Sequence, residues 1–266
     1  MTPPAEAHDR LDARALEEAL AAAGIGGAAV RHLAAVDSTN AEMARWVAAD
    51  PGPWAVVVAE SQTAGRGRRG RAWSSPPVGN LYASVLTPEV ASPVDWPRLP
   101  ILAGVAAAEA VAAGGAAVGL KWPNDLQGRS GDKLGGILVE ATGSGPPRAI
   151  LGLGLNVNAG PDQLGPGATS LRRETGAGWD RALLLGRLLG ALGRWWALFQ
   201  AQGFGPVARA WEGRALWLEA PVRVMGEGGS QEGRLLGVDE WGRLRLATAD
   251  GERRLAAGDV SLRAAD

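Results

Sequence analysis

The sequence predicts an α+β fold, in which a mixed β-sheet with flanking helices is followed by a small C-terminal β-barrel. An apolar run at 54–59 has the composition of a buried strand, and segments with helical spacing lie on both sides of it. Residues 133–158 indicate a β-hairpin, because two apolar segments flank a loop rich in Gly and Pro. After residue 217 the pattern changes to five short strands separated by turns, which is typical of a barrel.

Composition sets the size of the core and excludes several classes of function. The chain has 266 residues, 46% of them hydrophobic, which suffices for one main domain and a smaller one. We place a tail and helix at 1–30, the main domain at 31–214 and the barrel at 215–266. Cysteine is absent, which excludes disulfides, thiolate metal sites and thiol catalysis, and favours the cytoplasm. A net charge of −1 gives no general attraction for nucleic acid.

No targeting or membrane segment is expected. The N-terminus lacks the basic end and apolar core of a signal peptide, and no uninterrupted apolar run is long enough to cross a bilayer. The two histidines, His8 and His32, are isolated and form no metal or triad pattern. Hydrolysis by a serine or cysteine nucleophile is therefore disfavoured.

The start of the second predicted helix is a candidate ligand-binding site. We expect disorder at 1–9 and helices at 11–23 and 41–49. Thr39 and Glu42 fit a capping box for the second helix. Alternatively, Ser38 and Thr39 offer donors at the helix start that hold a polar group of a ligand.

The remaining elements follow in order. We predict strands at 54–59 and 80–87, a helix at 97–113, a short strand at 118–125 that runs into a turn, strands at 133–140 and 149–158, a helix at 178–200, another to about 214, and barrel strands at 222–225, 233–238, 243–247, 253–256 and 260–262.

Residues 65–71, here called the arginine loop, contain four arginines and three glycines and follow the buried strand after five residues. Guanidinium groups this close together repel one another unless an anion lies among them, and a phosphate-bearing ligand fits that role. The alternative is a solvated charged loop. The match to G-x-G-x-x-G is formal only, because residues 60–64 separate it from the strand and no helix follows it. We therefore expect a mobile loop over a nucleotide, poorly ordered without ligand.

Only two of the 27 basic residues are lysines, and asparagine is almost as rare. Lys121 opens the motif KWPND and Lys133 precedes Leu-Gly-Gly, so both rare cations stand beside glycine- or turn-rich segments. Such groups can neutralise a phosphate, and the Asn and Asp of the motif can orient it or carry Mg²⁺. Each segment also has a purely structural interpretation. KWPND can be a strand-ending turn with Trp122 in the core and Asp125 as a cap, and Lys133 can be an ordinary surface lysine. The glycine-rich run at 152–156 can be β-structure packed against a helix.

Five motifs stand in a recognisable order: VDSTN (36–40), ESQTAGRGRRGRAW (60–73), NLYAS (80–84), KWPND (121–125) with KLGGILVE (133–140), and GLGLNVN (152–158). Together they resemble the biotin protein ligase family over about 36–262. The resemblance implies a class II synthetase/biotin ligase-like catalytic domain with a C-terminal SH3-like barrel. It also implies the reaction: biotin and ATP, with Mg²⁺, give biotinyl-5′-AMP, and the biotinyl group passes to a lysine of the biotin carboxyl carrier protein.

The resemblance implies roles for particular residues. The implied catalytic residues are Arg68, Lys121 and Lys133. The implied biotin site consists of Ser38, Thr39, Asn40, Gln62, Gly65, Arg66, Gly67, Arg68, Lys133, Gly136 and Gly152. The implied nucleotide site consists of Arg71, Trp73, Lys121, Asn124 and Asn156, with Trp73 stacked on adenine. No protein-only metal site is expected.

Only one helix precedes the catalytic region, where many relatives carry a winged-helix domain, so we expect a monofunctional ligase without operator binding. Gly135 stands where relatives often have another small residue, which changes nothing essential. A lipoate ligase on the same fold, a biotin-sensing regulator and a nucleic-acid-binding module remain alternatives. A homodimer stays open, and no membrane partner is expected.

Overall fold

The computed structural model describes residues 9, 11–25, 27–77, 79–90, 92–142, 147–226, 229–256 and 261–264. The segment expected to be disordered, apart from Asp9, and most of the hairpin loop at 143–147 lie outside these residues.

A seven-stranded sheet forms the centre of the main domain. Its strands are β1 (Val30–Leu33), β2 (Val56–Ala59), β3 (Leu81–Glu89), β4 (Gly119–Lys121), β5 (Asp125–Gln127), β6 (Lys133–Ala141) and β7 (Arg148–Leu155). The spatial order is β1-β2-β3-β7-β6-β5-β4, and only the β1–β2 pair among these is parallel. The predicted mixed sheet and the β6–β7 hairpin are thus present.

Six α-helices flank the sheet in the described part of the chain: α1 (Ala13–Ala22), α2 (Thr39–Val47), α3 (Leu99–Ala113), α4 (Leu171–Thr175), α5 (Arg181–Gln202) and α6 (Gly205–Glu212). Helix α3 is made of small apolar residues because it is buried between the sheet and α5. Helix α5 is long and apolar enough to cross a membrane by composition, but 61% of its most apolar window is buried in the fold. Its hydropathy therefore reflects a core position.

The predicted capping box is wrong. Helix α2 begins at Thr39, two residues earlier than expected, and its N-cap residue Ser38 makes no side-chain capping bond. The Thr39 hydroxyl instead donates to Gln62 Oε1 at 3.2 Å and lies 2.8 Å from Ser84 Oγ. Glu42 accepts from Arg31 at 2.8 Å. Tertiary partners have replaced the local cap.

The C-terminal part is a five-stranded antiparallel sheet. Its strands are β8 (Pro221–Gly226), β9 (Gly229–Val238), β10 (Leu244–Thr248), β11 (Gly251–Leu255) and β12 (Ser261–Ala264), in the order β11-β10-β9-β8-β12. Trp122 joins this sheet to the main domain, because its Nε1 donates to Gly242 O at 3.1 Å. Trp122 is buried, as expected for a core residue, and the turn that follows β4 is thereby held against the C-terminal sheet.

Candidate active site

A cavity of about 360 Å³ opens on the main sheet between the start of α2, the arginine loop and the ends of β4 to β7. All but two of the predicted site residues line it. Those lining it are Ser38, Thr39, Asn40, Gln62, Arg66, Gly67, Arg68, Arg71, Trp73, Lys121, Asn124, Lys133, Gly136 and Gly152. Segments up to 114 positions apart in the chain, from 38 to 152, therefore share one wall.

One end of the cavity is polar and uncharged. Gln62 Oε1 accepts from the Thr39 backbone N–H at 2.8 Å, and Gln62 Nε2 donates to Ser75 Oγ at 2.8 Å. These bonds hold the first turn of α2 against the segment that follows β2. Thr39 is buried, Gln62 is half-buried, and both are held by hydrogen bonds, which suits recognition of a neutral polar ring.

Asn40 is held on three sides and is 4% exposed. Its Nδ2 donates to Glu140 Oε2 at 2.7 Å, and its Oδ1 accepts from Ser84 Oγ. A Cβ atom at Gly152 would lie 2.3 Å from Asn40 Oδ1, so glycine is required for this approach. The role of Gly152 as a cavity wall thus has a steric cause.

The arginine loop follows a defined path across the cavity, and its poor order without ligand stays a prediction. Gly67 N donates to Arg71 O at 2.7 Å, and a β-bridge joins Arg66 to Ala72. Arg66 NH2 donates to Glu140 Oε2 at 2.9 Å. Arg68 NH1 donates to Asn124 Oδ1 at 3.2 Å. Charged and amide partners on the sheet therefore hold the loop across the cavity.

Trp73 lies against the sheet beside a lysine. A Cβ atom at Gly154 would lie 2.6 Å from the Trp73 indole, so the ring occupies the space that a side chain would fill. The Lys133 ammonium is 5.3 Å from the ring centroid. The indole thus contacts β7 and Lys133, and these contacts reduce the part of its surface that can stack on a base.

The two lysines form the cationic end of the cavity. Lys133 Nζ donates to Asp125 Oδ1 at 2.7 Å. Lys121 is 9% exposed, and burial together with the positive charge of Arg263 lowers its pKa to about 8, while Asp125 partly opposes the shift. An anionic ligand would restore the ammonium form, so this end is suited to phosphate or carboxylate.

Gly65 and Asn156 support the cavity from outside its lining. A Cβ atom at Gly65 would lie 2.4 Å from Trp73 O, so the glycine permits a close crossing of the arginine loop. Asn156 Nδ2 donates to Thr169 O at 3.0 Å and to Lys133 O at 3.4 Å. It therefore braces the backbone beside Lys133.

Five further residues matter that the predicted site list left out: Ser84, Asp125, Gln127, Glu140 and Arg263. Three of them stand inside the recognised motifs, which are the signal that could have found them. Gln127 and Arg263 carry no local signal, because strand pairing and the C-terminal sheet bring them to the cavity.

Among the described residues no three His, Cys, Asp or Glu side chains lie close enough to hold a metal, and Asp125 is the carboxylate that lines the cavity.

Comparisons with known proteins agree with this geometry. Residues 33–158 match the model of the Biotin/lipoate A/B protein ligase family, and 218–263 match the Biotin protein ligase C terminal domain. The biotin–[acetyl-CoA-carboxylase] ligase of Mycobacterium tuberculosis is 37% identical over 258 residues, 94% of this chain and 95% of the relative. That of Paracoccus denitrificans is 36% identical over 86% of this chain and 98% of its own length.

A solved structure shares the fold. The biotin protein ligase of Aquifex aeolicus, in complex with biotin and ATP, is similar with a TM-score of 0.77 and 31% identity, over 89% of this chain and 99% of that one. The Leishmania major ligase in complex with biotinyl-5-AMP is similar with a TM-score of 0.59 and 26% identity, over 86% of this chain and 99% of that one.

Proposed function

The chain belongs to the biotin/lipoate A/B protein ligase family, and on this premise we propose that it activates biotin with ATP and transfers it to a protein lysine. The first step yields biotinyl-5′-AMP and pyrophosphate. The names of the relatives indicate acetyl-CoA carboxylase as the acceptor. We propose that the modified residue is a lysine of its biotin carboxyl carrier protein.

The observation that carries the proposal is the division of one cavity into a neutral polar end and a cationic end. Thr39, Asn40 and Gln62 form the first end, and Lys121 and Lys133 belong to the second. Biotin has a neutral ureido ring at one end and a carboxylate at the other, and the carboxylate must meet the α-phosphate of ATP. The cavity matches this order of groups.

The proposed chemistry needs positioning and charge neutralisation and no protein nucleophile. A carboxylate oxygen of biotin attacks the α-phosphorus, and the bond to the β-phosphate oxygen breaks as pyrophosphate leaves. We assign Lys133 to the biotin carboxylate and the bridging phosphate oxygens, and its bond to Asp125 supports a fixed orientation of the ammonium. Lys121 and Arg68 neutralise the charge that develops on the phosphates.

In the second step the acceptor lysine amine attacks the acyl carbon of biotinyl-5′-AMP. The acyl–phosphate bond breaks, AMP leaves, and the amine nitrogen gives up a proton. We propose that the arginine loop keeps the adenylate enclosed between the two steps. The support is that Arg66 and Arg68 reach across to Glu140 and Asn124 on the opposite side of the cavity.

Magnesium enters as part of the nucleotide substrate. Mg²⁺ usually keeps several waters and binds through phosphates with one or two carboxylates, and it does not need a dedicated protein cage. Asp125 is the one carboxylate among the described lining residues, which fits this mode. Its pairing with Lys133 places that carboxylate beside the phosphate-binding ammonium.

Several finer assignments are part of the same proposal. We assign 31–214 as the class II synthetase-like catalytic domain, 1–30 as the preceding tail and helix, and 215–266 as an SH3-like barrel, which the five antiparallel strands support. We also propose a cytoplasmic location. A homodimer stays open, and sedimentation of the purified protein tests it.

The test is to incubate the protein with ATP, Mg²⁺ and labelled biotin and to detect biotinyl-5′-AMP by mass spectrometry. Lipoate in place of biotin is the matched control, and calorimetry compares binding of the two acids. We expect the biotinyl adenylate and tight biotin binding. If lipoyl-AMP forms instead, the lipoate ligase alternative is right.

A further inference from the structure

Gln127 is a buried residue whose amide oxygen lacks a hydrogen-bond partner in the described part of the chain. It lines the cavity, is 7% exposed, and its Oε1 has no partner among the residues that the structure describes. The cavity amides Asn40 and Gln62, by contrast, bond through both of their polar atoms. Buried polar groups are almost always satisfied, because an unmade bond forfeits the energy the group had in water. A ligand is the partner that this position lacks.

Gln127 belongs to the cationic end of the cavity. On β5 it lies opposite Lys133 of β6 and Gly119 of β4. Asp125, two residues earlier on the same strand, also lines the cavity and contacts Lys133. The amide therefore stands on the nucleotide side, away from the neutral end where Asn40 meets Gly152 on β7.

The unpartnered atom is an acceptor, which limits the ligand group that it can meet. Phosphate and carboxylate oxygens only accept, so they cannot satisfy it. In ATP the donors are the exocyclic amine of adenine and the ribose hydroxyls. A carboxamide presents a donor and an acceptor in one plane, and this pair matches N6 and N7 of adenine. The terminal torsion of glutamine is broad, so the amide can turn its oxygen toward the amine.

We propose that Gln127 pairs with the N6/N7 edge of adenine and thereby selects ATP over 6-oxopurine nucleotides. This inference rests on the proposed function, because it assigns the cationic end to ATP. In hypoxanthine and guanine, O6 and N7 are both acceptors. The amide has only one donor side, so it can satisfy one of them and must oppose the other in either orientation.

The test compares kcat/KM for biotinyl-5′-AMP formation with ATP and with ITP, which differs from ATP at the 6-position. The variants are Gln127→Leu, of similar size and without polar atoms, and Gln127→Glu, which keeps the acceptor and loses the donor. Gln231→Leu, an exposed strand glutamine in the C-terminal sheet, is the matched control. Folding of each variant is checked by circular dichroism.

We expect the Leu variant to lose roughly tenfold in kcat/KM with ATP, mainly through KM. A loss of this size corresponds to one or two hydrogen bonds. ITP turnover should change little, so the ATP/ITP ratio falls. The Glu variant should also lose activity with ATP, because one of its two acceptor oxygens opposes N7, and Gln231→Leu should keep the wild-type ratio. The ratio of ATP to 2′-deoxy-ATP should stay constant, because the ribose is not the partner.

An unchanged ATP/ITP ratio in both Gln127 variants overturns the inference. So does a shift confined to 2′-deoxy-ATP, which would make the ribose the partner, or equal loss with all nucleotides in folded variants. If the wild-type protein forms no biotinyl-5′-AMP, the proposed function itself fails. The two failures are thereby distinguished.

Discussion

Arg66 in the arginine loop donates to Glu140 on β6 at 2.9 Å, and this ion pair closes the loop onto the sheet. The same Glu140 oxygen accepts from Asn40 Nδ2 at 2.7 Å. One carboxylate thus connects the loop that covers the cavity to the amide that forms its neutral end. Order in the loop and order in the proposed biotin pocket are coupled through Glu140.

Replacement of Glu140 by Gln should loosen both connections. The neutral amide forms a weaker bond to Arg66 and can present a donor to Asn40, so we expect biotin KM to rise about three- to tenfold. Steady-state kinetics with biotin as the varied substrate measures this. Glu232→Gln, which breaks a 2.7 Å ion pair with Arg223 in the C-terminal sheet, is the control and should leave biotin KM unchanged. Equal effects of the two substitutions would contradict the coupling.

A methyl group at Gly152 should displace Asn40. The added Cβ would lie 2.3 Å from Asn40 Oδ1, so we expect Gly152→Ala to weaken biotin binding at least about tenfold and to destabilise the fold by about 1–3 kcal/mol. Calorimetry and denaturant unfolding measure the two effects. Gly165→Ala, where the added Cβ meets nothing within 4 Å, should show neither. Normal biotin affinity in Gly152→Ala would remove the steric argument.

Removal of the buried ammonium at Lys121 should stabilise the folded chain while abolishing turnover. Burial lowers the pKa of Lys121 to about 8 in the folded state, below the value of about 10.5 for an exposed lysine. Below pH 8 both states are protonated and the folded state bears the full desolvation cost. As pH rises from 8 to 10.5 the folded state loses its proton first, so the cost disappears.

Lys121→Met should therefore be more stable than wild type by about 1–3 kcal/mol at pH 7, with the difference vanishing above about pH 10.5. Urea unfolding at pH 7 and pH 10.5 measures it. Lys133→Met, which leaves Asp125 without its 2.7 Å partner, is the control and should not stabilise the chain. A Lys121→Met protein less stable than wild type at pH 7 would contradict the assignment of an uncompensated buried charge.

Removal of the Lys133 ammonium should block the first chemical step. We expect Lys133→Ala to abolish pyrophosphate release from biotin and ATP, because the substitution removes the ammonium that we assign to the carboxylate and the α-phosphate. Asp125→Asn keeps the lysine but weakens its orientation, so an intermediate loss of about tenfold in kcat is expected. A pyrophosphate-coupled assay follows both. Near-normal release by Lys133→Ala would refute the assigned role.

Loss of the Arg68 side chain should release the activated intermediate. Arg68 bonds to Asn124 across the cavity, so Arg68→Gly removes one attachment of the arginine loop. We expect the adenylate to escape and to biotinylate lysines of a bystander protein such as serum albumin. The control is Arg129→Gly, which makes the same replacement in an exposed turn. A second loop substitution, Gly70→Ala, is not used because Gly70 has a φ of 68° that alanine rarely adopts. An unchanged rate of bystander labelling would show that the loop does not retain the adenylate.

The sequence by itself predicted the central strands β2, β3, β6 and β7, the hairpin, the buried helices and the division into a larger and a smaller part, but it missed β1, whose parallel pairing with β2 makes the sheet mixed. These follow from local hydrophobic periodicity and turn residues, which depend little on distant partners. The order of motifs was also sufficient for the family, and the scarcity of lysine singled out Lys121 and Lys133 before any geometry was known.

Only the tertiary structure decided which polar atoms meet. Thr39 fits a capping box locally, but Gln62 and Ser84 compete for its hydroxyl. Glu140 and Gln127 resemble ordinary strand residues in the sequence, and become a loop anchor and an unpartnered cavity amide only through strand pairing and the path of the arginine loop. Side-chain hydrogen bonds form between groups far apart in the chain, and their strength depends on distance, angle and burial, which no local pattern encodes.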